Sequence, residues 1–354
     1  MLIGILGATG VVGKEILKQL EFSTIKISEL RLFSSRKTAG TKLYFKGNLY
    51  KTEEITDNSF NNMDILFGAT KEGIVKLYET QIKESNCLFI DNSSYFRMND
   101  NIKLVIPEIN FDCLTKTDRI IANPNCSTII TLMSVYPIHQ YYKIDKLVVT
   151  TFQAVSGAGY MGLNELEDEI INYKNIRKYN ENVFPRIILN NVIPAIGKLT
   201  ETNHTTEEMK MINEISKILT DSIQIECTCV RVPVMRSHSM AIYLECEKNI
   251  DLARCSDLID KFDGVVVTDN KDRNKYPCPL DVSGMNIIKV GRMKKSINNS
   301  KGISIWSCGD QICKGAATNA VQIACHYISK FKEVKWFQFT RIYKSYTKII
   351  LGMI

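Results

Sequence analysis

The first hundred residues alternate short apolar runs with amphipathic stretches, which is the pattern of alternating strands and helices. The apolar runs at Leu2–Leu6, Leu30–Phe33, Ile65–Gly68 and Cys87–Asp91 predict buried strands. Between the first two, Val12–Leu20 places apolar residues at i, i+3 and i+4 and predicts a helix. Strand–helix–strand order implies a parallel sheet with right-handed crossovers.

The pattern changes from about Lys146 onward to longer β-rich runs, namely KLVVTTFQAV, CTCVRVPV and SMAIYLECE. These runs predict a second, α+β domain built on a mixed or antiparallel sheet. A last helical segment, Gly315–Lys330, carries Ala and Val at helical spacing and would pack back on the first domain. We therefore assign residues 1–125 and 312–354 to the first domain, with the place of the final segment left open, and residues 126–311 to the second.

Composition and charge exclude several classes of protein. The 354 residues are 45% apolar and 23% charged, which is typical of a globular protein with two domains of ordinary size. No run approaches the roughly 18 apolar residues of a membrane helix, and the N-terminus lacks the basic region of a secretion signal or transit peptide. The net charge is +7, and residues 331–354 hold +4 of it (five Lys/Arg, one acid), so a nucleic-acid-binding body is not favoured.

Cysteine usage indicates a reducing compartment. Eleven cysteines are an odd number in a long chain, so we interpret them as thiols and expect a cytoplasmic protein. Cys227 and Cys229 are one residue apart with no CxxC pair elsewhere, so no metal site is predicted.

The run GATGVVG at residues 7–13 lies between the first predicted strand and the first predicted helix. Gly7 would permit a tight turn, Gly10 would let the backbone approach a pyrophosphate, and Gly13 would let helix and strand pack closely. The free N–H groups at the helix start would attract the anion. This placement predicts a Rossmann-like nucleotide-binding domain; a purely structural glycine turn is the alternative.

The end of the second predicted strand indicates which cofactor binds. An NAD site would place an acid there to accept from the ribose hydroxyls. The sequence is instead SSRK, with Ser35 and Arg36 and no carboxylate. This suits the extra phosphate of NADP, while a solvated basic loop is the alternative.

Cys126 is the candidate nucleophile. It lies in NPNCST, where turn-forming residues precede an apolar run that predicts a helix. A thiol at a helix N-terminus is expected to have a lowered pKa, which favours the thiolate. An ordinary buried cysteine is the alternative.

Eight motifs follow one another along the chain: GATGVVG, SSRKTAG, DNSSYFR, PNCST, FQAVSGAG, EEMKM, RVPVMRSH and PLDVSG. Over about residues 1–325 the sequence therefore resembles the bacterial-type aspartate-β-semialdehyde dehydrogenases. That family reduces L-aspartyl 4-phosphate to the semialdehyde with NADPH and releases phosphate, on the route to lysine, diaminopimelate, threonine, methionine and isoleucine. The resemblance implies an NADP-binding domain, a catalytic and dimerisation domain, a homodimer, and small-molecule partners without nucleic acid or membrane.

By position, the resemblance implies that Cys126 forms a thioacyl intermediate, that His238 is the general acid/base, and that Gln153 orients the substrate. A thiolate can displace phosphate from an acyl phosphate, and the thioester accepts hydride more readily than a carboxylate does. A histidine with a pKa near neutrality could move the protons. A structural histidine is the alternative for His238.

The resemblance also implies the substrate-binding residues. Arg231 would hold the substrate carboxylate through two parallel hydrogen bonds, and Glu207 would meet the amino group. Arg97 and Lys210 would bind the phosphate, because a departing phosphate needs fixed cations. The alternatives are a loop cation over an aromatic ring for Arg97 and a surface ion pair for Glu207 and Lys210, which lie at i and i+3 of a predicted helix, Thr205–Leu219.

The cofactor would be lined by residues from three parts of the chain: Gly7, Thr9, Gly10, Val11, Val12, Gly13, Ser35, Arg36, Ser156, Gly157 and Gln311. Gln311 stands where the family has Asn after Asp, so its side chain reaches one carbon farther.

Three other functions stay open. N-acetyl-γ-glutamyl-phosphate reductase is disfavoured because its cysteine motif reads more like NPGCY, whereas malonyl-CoA reductase has closer motifs; a nucleotide-binding sensor is the non-enzymatic alternative.

Residues 331–354 lie beyond the part of the chain that resembles the family, and they interleave six aromatics with basic residues. We expect them to pack on the nucleotide domain or a partner subunit, with a partner- or membrane-surface-binding tail as the alternative.

Overall fold

The structure is a computed structural model that describes residues 1–173, 183–220, 222–270 and 274–331. The strands are β1 (Leu2–Leu6), β2 (Glu29–Ser34), β3 (Lys42–Phe45), β4 (Asn48–Lys51), β5 (Glu53–Glu54), β6 (Ile65–Gly68), β7 (Leu88–Asp91), β8 (Lys103–Leu104), β9 (Ile120–Ala122), β10 (Ile144–Gln153), β11 (Gln224–Arg231), β12 (His238–Cys246), β13 (Val265–Val267), β14 (Ile288–Lys295) and β15 (Gly302–Gly309). The helices are α1 (Val11–Glu21), α2 (Glu72–Leu77), α3 (Glu79–Glu84), α4 (Pro107–Asn110), α5 (Cys126–Tyr142), α6 (Gly159–Ile171), α7 (Thr206–Leu219), α8 (Leu252–Asp260) and α9 (Thr318–Phe331).

The first sheet has seven strands in the order β5-β2-β1-β6-β7-β9-β8, and every pairing in it is parallel. Its central strands are buried on both faces, which explains their continuous apolar runs. The predicted parallel sheet is therefore confirmed, with ends shifted by one residue in β2 and β7. The β3–β4 hairpin was not predicted.

The second sheet has six strands in the order β11-β10-β12-β15-β14-β13. It is mixed, because β10–β11 and β13–β14 are parallel while the three central pairings are antiparallel. Apolar side chains of α5, α7 and α8 lie in one core with those of this sheet. The predicted mixed sheet is confirmed, and its α+β character follows from the single helical layer on that face.

The last helix returns to the first sheet. Its apolar residues share a core with β1 and α1, as the spacing of Ala and Val predicts. The helix begins at Thr318 rather than at Gly315, because a π-helical turn, Cys313–Ala317, precedes it. Such turns commonly occur at functional sites.

The final segment lies almost wholly outside the described residues. Only Phe331 is described, and its ring packs against that of Tyr327 with centroids 4.9 Å apart, so our expectations for residues 332–354 stay predictions. The domain boundaries at residues 125 and 312 also stay predictions. Across the described ranges, no helix is both long enough and apolar enough to cross a membrane.

Candidate active site

Cys126 is the first residue of α5, as predicted. Asn125 caps this helix, and its side-chain oxygen accepts a hydrogen bond from the backbone N–H of Ser127 at 2.8 Å. The π-helical turn before α9 passes directly beside the thiol: a Cβ added to Gly315 would lie 3.0 Å from the Cβ of Cys126. The half-buried thiol therefore lies beside the turn that precedes α9.

The expected lowering of the thiol pKa is wrong. Burial, and after it the neighbouring Glu207 carboxylate, raise the pKa of Cys126 to about 11. Three interactions lower the pKa, namely those with the Arg97 cation, with Ser127 through a hydrogen bond, and with the Arg231 cation. Together they do not cancel the effect of the lost solvation. The free protein therefore carries Cys126 as a neutral thiol at pH 7.

Three predicted residues meet at one edge of the second sheet. Gln153 ends β10 and is the register partner of Arg231, which ends β11, while His238 begins the adjacent strand β12. Ala154 connects them, because its N–H donates to Nδ1 of His238 at 3.0 Å and its carbonyl accepts from Nη1 of Arg231 at 2.6 Å. Sequence reasoning missed Ala154, although it lies inside the FQAVSGAG motif.

His238 is neutral in this setting. It is completely buried, and desolvation together with the nearby Arg231 cation lowers the pKa of His238 well below its usual value. The expectation of a pKa near neutrality is therefore wrong, because the backbone hydrogen bond at Ser237, which acts in the opposite direction, does not offset these two effects. Since Nδ1 accepts a hydrogen bond, the neutral ring carries its proton on Nε2, which lies 3.5 Å from the amide nitrogen of Gln153.

Arg231 lies in a tight enclosure. Its guanidinium stacks over the ring of Phe184 at 5.7 Å, and a Cβ added to Gly157 would lie 2.9 Å from Nη1. Burial lowers the pKa of Arg231, while Glu207 opposes the shift. An arginine keeps its charge under such conditions, so this buried cation is available to a substrate carboxylate.

Glu207 connects the two sides of the site. Its Oε1 accepts hydrogen bonds from Nδ2 of Asn125 at 2.9 Å and from Nε2 of Gln153 at 3.3 Å, and its Oε2 lies 3.4 Å from Nζ of Lys210. Burial alone would raise the pKa of Glu207, but Lys210 and these hydrogen bonds outweigh it and hold the pKa below its usual value. The carboxylate is only 12% exposed, which argues against an ordinary surface pair.

Arg97 lies in the turn after β7 and is held by a residue that sequence reasoning missed. Its Nη1 donates to Oε1 of Glu214 at 3.0 Å, and its Nη2 donates to the carbonyl of Asn92 at 2.7 Å. Nε of Arg97 is buried and finds no hydrogen-bond partner within the described ranges. The sequence could have pointed to Glu214 through its spacing, because it lies seven residues after Glu207 and therefore on the same face of α7.

The glycine turn has the geometry that the sequence predicts. Gly7 has φ +87°, and a Cβ there would lie 2.5 Å from the carbonyl oxygen of Ala69. A Cβ on Gly13 would lie 2.2 Å from the carbonyl oxygen of Gly7. α1 begins after Gly10 with no side-chain cap and no acidic residue in its first turn. Its backbone N–H groups, including those of the half-exposed residues 11 and 12, therefore favour an anion.

The hydroxyls of Thr9 and Ser35 are brought together by Thr38, a residue that sequence reasoning missed. The Thr38 hydroxyl lies 3.4 Å from that of Thr9 and 3.1 Å from that of Ser35. Ser35 and Arg36 are exposed in a turn directly after β2. A hydroxyl cluster and an exposed cation, with no carboxylate among residues 34–40, fit a phosphorylated ribose.

Both polar atoms of the Gln311 side-chain amide make hydrogen bonds within the protein. Its Nε2 donates to Oγ of Ser156, and its Oε1 accepts from the backbone N–H of Ser237 at 2.8 Å. Ser156 is itself buried, whereas Gly157 is exposed beside the Arg231 guanidinium. Gln311 thus joins the Ser156 turn to the residue before His238, and a direct contact with a cofactor stays a prediction.

Cys227 and Cys229 belong to the core. Both are buried on β11, and Sγ of Cys229 lies 3.7 Å from Sδ of Met211. In the part of the chain that the structure covers, no group of three or more His, Cys, Asp or Glu side chains could hold a metal ion.

Comparison with known proteins gives two family models that together span most of the chain. Residues 2–117 match the model of the semialdehyde dehydrogenase NAD binding domain, and residues 135–314 match that of the semialdehyde dehydrogenase dimerisation domain.

Similar proteins carry the same kind of name. The chain is 38% identical to an aspartate-semialdehyde dehydrogenase of Campylobacter jejuni and 36% identical to one of Bacillus subtilis, with 91% of this chain and 96% of each relative covered. Among solved structures, it is similar to Vibrio cholerae aspartate semialdehyde dehydrogenase II in complex with ASA, with a TM-score of 0.88 and 34% identity. That match covers 93% of this chain and 98% of the other.

Proposed function

The chain belongs to the aspartate-semialdehyde dehydrogenase family, and we propose that it converts L-aspartyl 4-phosphate to L-aspartate 4-semialdehyde with NADPH, through a thioester on Cys126. The observation that carries this proposal is the set of charges around one thiol. The thiol of Cys126 lies near enough to three charged groups for each to shift its pKa: the guanidinium groups of Arg97 and Arg231, and the carboxylate of Glu207. A cation for each anionic end of the substrate and a carboxylate for its ammonium are what this substrate requires.

The cofactor would be held by the glycine turn and the end of β2. Residues 7–13 would bind the pyrophosphate through backbone N–H groups, and Ser35 and Arg36 would bind the ribose phosphate of NADP. Ser156 and Gly157 would face the nicotinamide half. When bound, the nicotinamide supplies the hydride for reduction.

Arg231 and Glu207 would orient the substrate. Because Ala154 and Phe184 fix the Arg231 guanidinium, it can present two parallel N–H groups to the α-carboxylate. The ionised Glu207 would accept from the α-ammonium, and Gln153 would hold Glu207 in place. A carboxylate placed for a free amine favours the aspartyl substrate, since malonyl-CoA has no such amine and N-acetylglutamyl phosphate has an acylated one.

Arg97 and Lys210 would bind the phosphate. The Nε–H of Arg97, which has no partner among the described residues, gives a buried donor that an oxyanion would satisfy. With the phosphate bound there, the thiol of Cys126 attacks the acyl carbon, its proton passes to the departing phosphate oxygen, and phosphate leaves as the acyl C–O bond breaks. The thioester that forms remains attached to the N-terminus of α5.

His238 would act at the carbonyl oxygen. Its Nε2 carries the proton, because Nδ1 is occupied by the N–H of Ala154. Nε2–H can donate a hydrogen bond to the oxyanion that develops at the substrate carbonyl and stabilise it while the ring keeps its proton. This geometry supports a hydrogen-bond donor at the carbonyl oxygen, and the general acid/base role of His238 stays a prediction.

We further propose a cytoplasmic homodimer. Eleven free cysteines suit a reducing compartment. Among the described residues, one face of the second sheet lines an open pocket with apolar and small side chains that include Val148, Ala241 and Trp306. Because the matching family model is a dimerisation domain, we infer that this face meets a second copy of the chain.

The test is a spectrophotometric assay with aspartate semialdehyde, inorganic phosphate and either NADP or NAD. We expect phosphate-dependent formation of NADPH that is abolished in Cys126→Ser. Activity with NAD alone would overturn the cofactor assignment. Undiminished activity of Cys126→Ser would overturn the proposed chemistry.

A further inference from the structure

Two residues of α7 that the proposed chemistry leaves unused, Glu214 and Lys217, hold the segment that carries Arg97. They belong to the same helix as the predicted phosphate ligand Lys210, at i+4 and i+7, and therefore lie on one face of it. α7 packs on the second sheet, whereas Arg97 follows β7 of the first sheet. These contacts consequently bridge the two sheets at the phosphate side of the site.

Glu214 fixes the Arg97 side chain relative to the nucleophile. Its carboxylate is 1% exposed, and its two oxygens serve two different segments. Oε1 accepts from Nη1 of Arg97 at 3.0 Å, and Oε2 accepts from the backbone N–H of Asn125 at 2.6 Å. One rigid group therefore sets the separation between the guanidinium and the residue before Cys126.

Lys217 fixes the backbone of the same segment. Its ammonium donates to three carbonyl oxygens, those of Arg97 at 2.8 Å, Asn99 at 2.7 Å and Ile102 at 3.0 Å. An ammonium has three N–H donors, so all of them are used on one turn of chain. Within itself, this turn is held by isolated backbone hydrogen bonds, such as those from the N–H of Asn99 to the carbonyl of Phe96 and from the N–H of Ile102 to that of Asn99, and not by a helix or strand.

We propose that Glu214 and Lys217 are positioning residues for phosphate binding, through which α7 assembles Lys210 and Arg97 into one subsite. The inference rests on the proposed function, since it takes Arg97 and Lys210 as the groups that bind inorganic phosphate. Glu214 and Lys217 touch neither substrate nor cofactor in this scheme. Their effect is to keep the Arg97 guanidinium in place when the phosphate arrives, so that binding does not require ordering it.

The experiment separates the phosphate step from the steps before it. Without phosphate, aspartate semialdehyde and NADP can proceed only as far as the thioester, which gives a burst of at most one NADPH per subunit. Turnover then requires phosphate. In Lys217→Met we expect the burst to be retained and the KM for phosphate to rise about 10-fold or more, because the lost hydrogen bonds are made by a charged group. The KM for semialdehyde should stay within about twofold.

Glu214→Gln should raise the KM for phosphate about 10- to 100-fold, since the Gln amide would place a donor against Arg97 or Asn125. Lys217→Arg, whose fork can still donate to these carbonyls, should restore the KM to within about threefold of wild type. The matched control is Glu208→Gln, also on α7, where a buried carboxylate accepts from the N–H groups of Thr205 and Cys229 but does not contact the Arg97 segment. Its KM for phosphate should not change.

Each outcome decides the question. An unchanged phosphate KM in Glu214→Gln and Lys217→Met, or an equal rise in Glu208→Gln, would overturn the proposal. So would a burst rate that falls in parallel with phosphate turnover, because that indicates a general structural defect. If Lys217→Met does not fold, Glu214→Gln and Lys217→Arg give the answer. Failure of the proposed function itself is distinguishable, since the wild-type protein would then show no phosphate-dependent NADP reduction.

Discussion

The protonation of Cys126 in the free protein is open to a quantitative test. With a pKa of about 11, about one thiol in 3,000 is ionised at pH 7.5, against about one in ten for an unperturbed cysteine of pKa near 8.5. Alkylation of Cys126 by iodoacetamide should therefore be about 300-fold slower at this pH than alkylation of an unperturbed thiol of equal access.

Glu207→Gln is the informative perturbation. After burial, the Glu207 carboxylate is the largest contribution that raises the pKa of the Cys126 thiol. Gln keeps the size and can still accept from Asn125, so the substitution removes the charge with little change in packing. Each unit by which the thiol pKa falls should increase the alkylation rate about tenfold at pH 7.5.

The assay follows carbamidomethylation of the peptide containing Cys126 by mass spectrometry between pH 6 and 11, with the exposed Cys278 as an internal reference for reagent access. In the wild type, we expect the rate at Cys126 to keep rising past pH 9. The pKa of the Cys126 thiol is higher in the folded protein than in the unfolded chain. The free energy of unfolding should therefore also fall as the pH rises from about 8.5 toward 11. A plateau of the alkylation rate by pH 8.5, or no acceleration in Glu207→Gln, would refute this reasoning.

Three further outcomes are expected. Arg36→Ala should raise the KM for NADP about 10- to 100-fold and leave that for NAD within about twofold, since only NADP carries the phosphate that Arg36 would meet; equal effects on both cofactors would exclude that role. Lys314→Met leaves the Glu108 carboxylate buried without its ion pair, and it should lower the free energy of unfolding by about 3–5 kcal/mol in urea titration. The matched control Lys261→Met breaks an exposed helical ion pair and should lower the free energy of unfolding by about 0.5 kcal/mol. Ala241→Arg, on the face of the second sheet that we propose meets a second copy of the chain, should shift sedimentation toward a monomer; an unchanged dimer would place the interface elsewhere.

The fold could be predicted from the sequence because its signals are local. Continuous apolar runs such as Ile65–Gly68 are the pattern of strands buried on both faces, and the spacing of glycines 7, 10 and 13 is that of a phosphate-binding turn. Cys126 at the start of α5 was predictable for the same reason, since turn-forming residues and an apolar run flank it directly. The β3–β4 hairpin was missed because its strands are short and largely exposed, so they lack the apolar pattern.

The ionisation of the site could not be predicted, because it depends on residues far apart in the chain. The helix N-terminus next to Cys126 suggested a low thiol pKa, but the depth of burial and the charge of Glu207 decide it. Likewise, Ala154 selects the His238 tautomer through a hydrogen bond between residues 84 positions apart. Glu214 was missed because an acid on a helix is ordinarily a solvated side chain, and only the fold brings Arg97 to it.

The central claim is that Cys126 carries the acyl group between reduction and phosphate transfer. Its most direct test is to mix the protein with aspartate semialdehyde and NADP without phosphate, quench in acid, and map the peptides by mass spectrometry. We predict an aspartyl group in thioester linkage on Cys126, formed with one NADPH per modified subunit and removed when phosphate is added before the quench. NADPH formation without acylation of Cys126, or an acyl group on another residue, would contradict the claim.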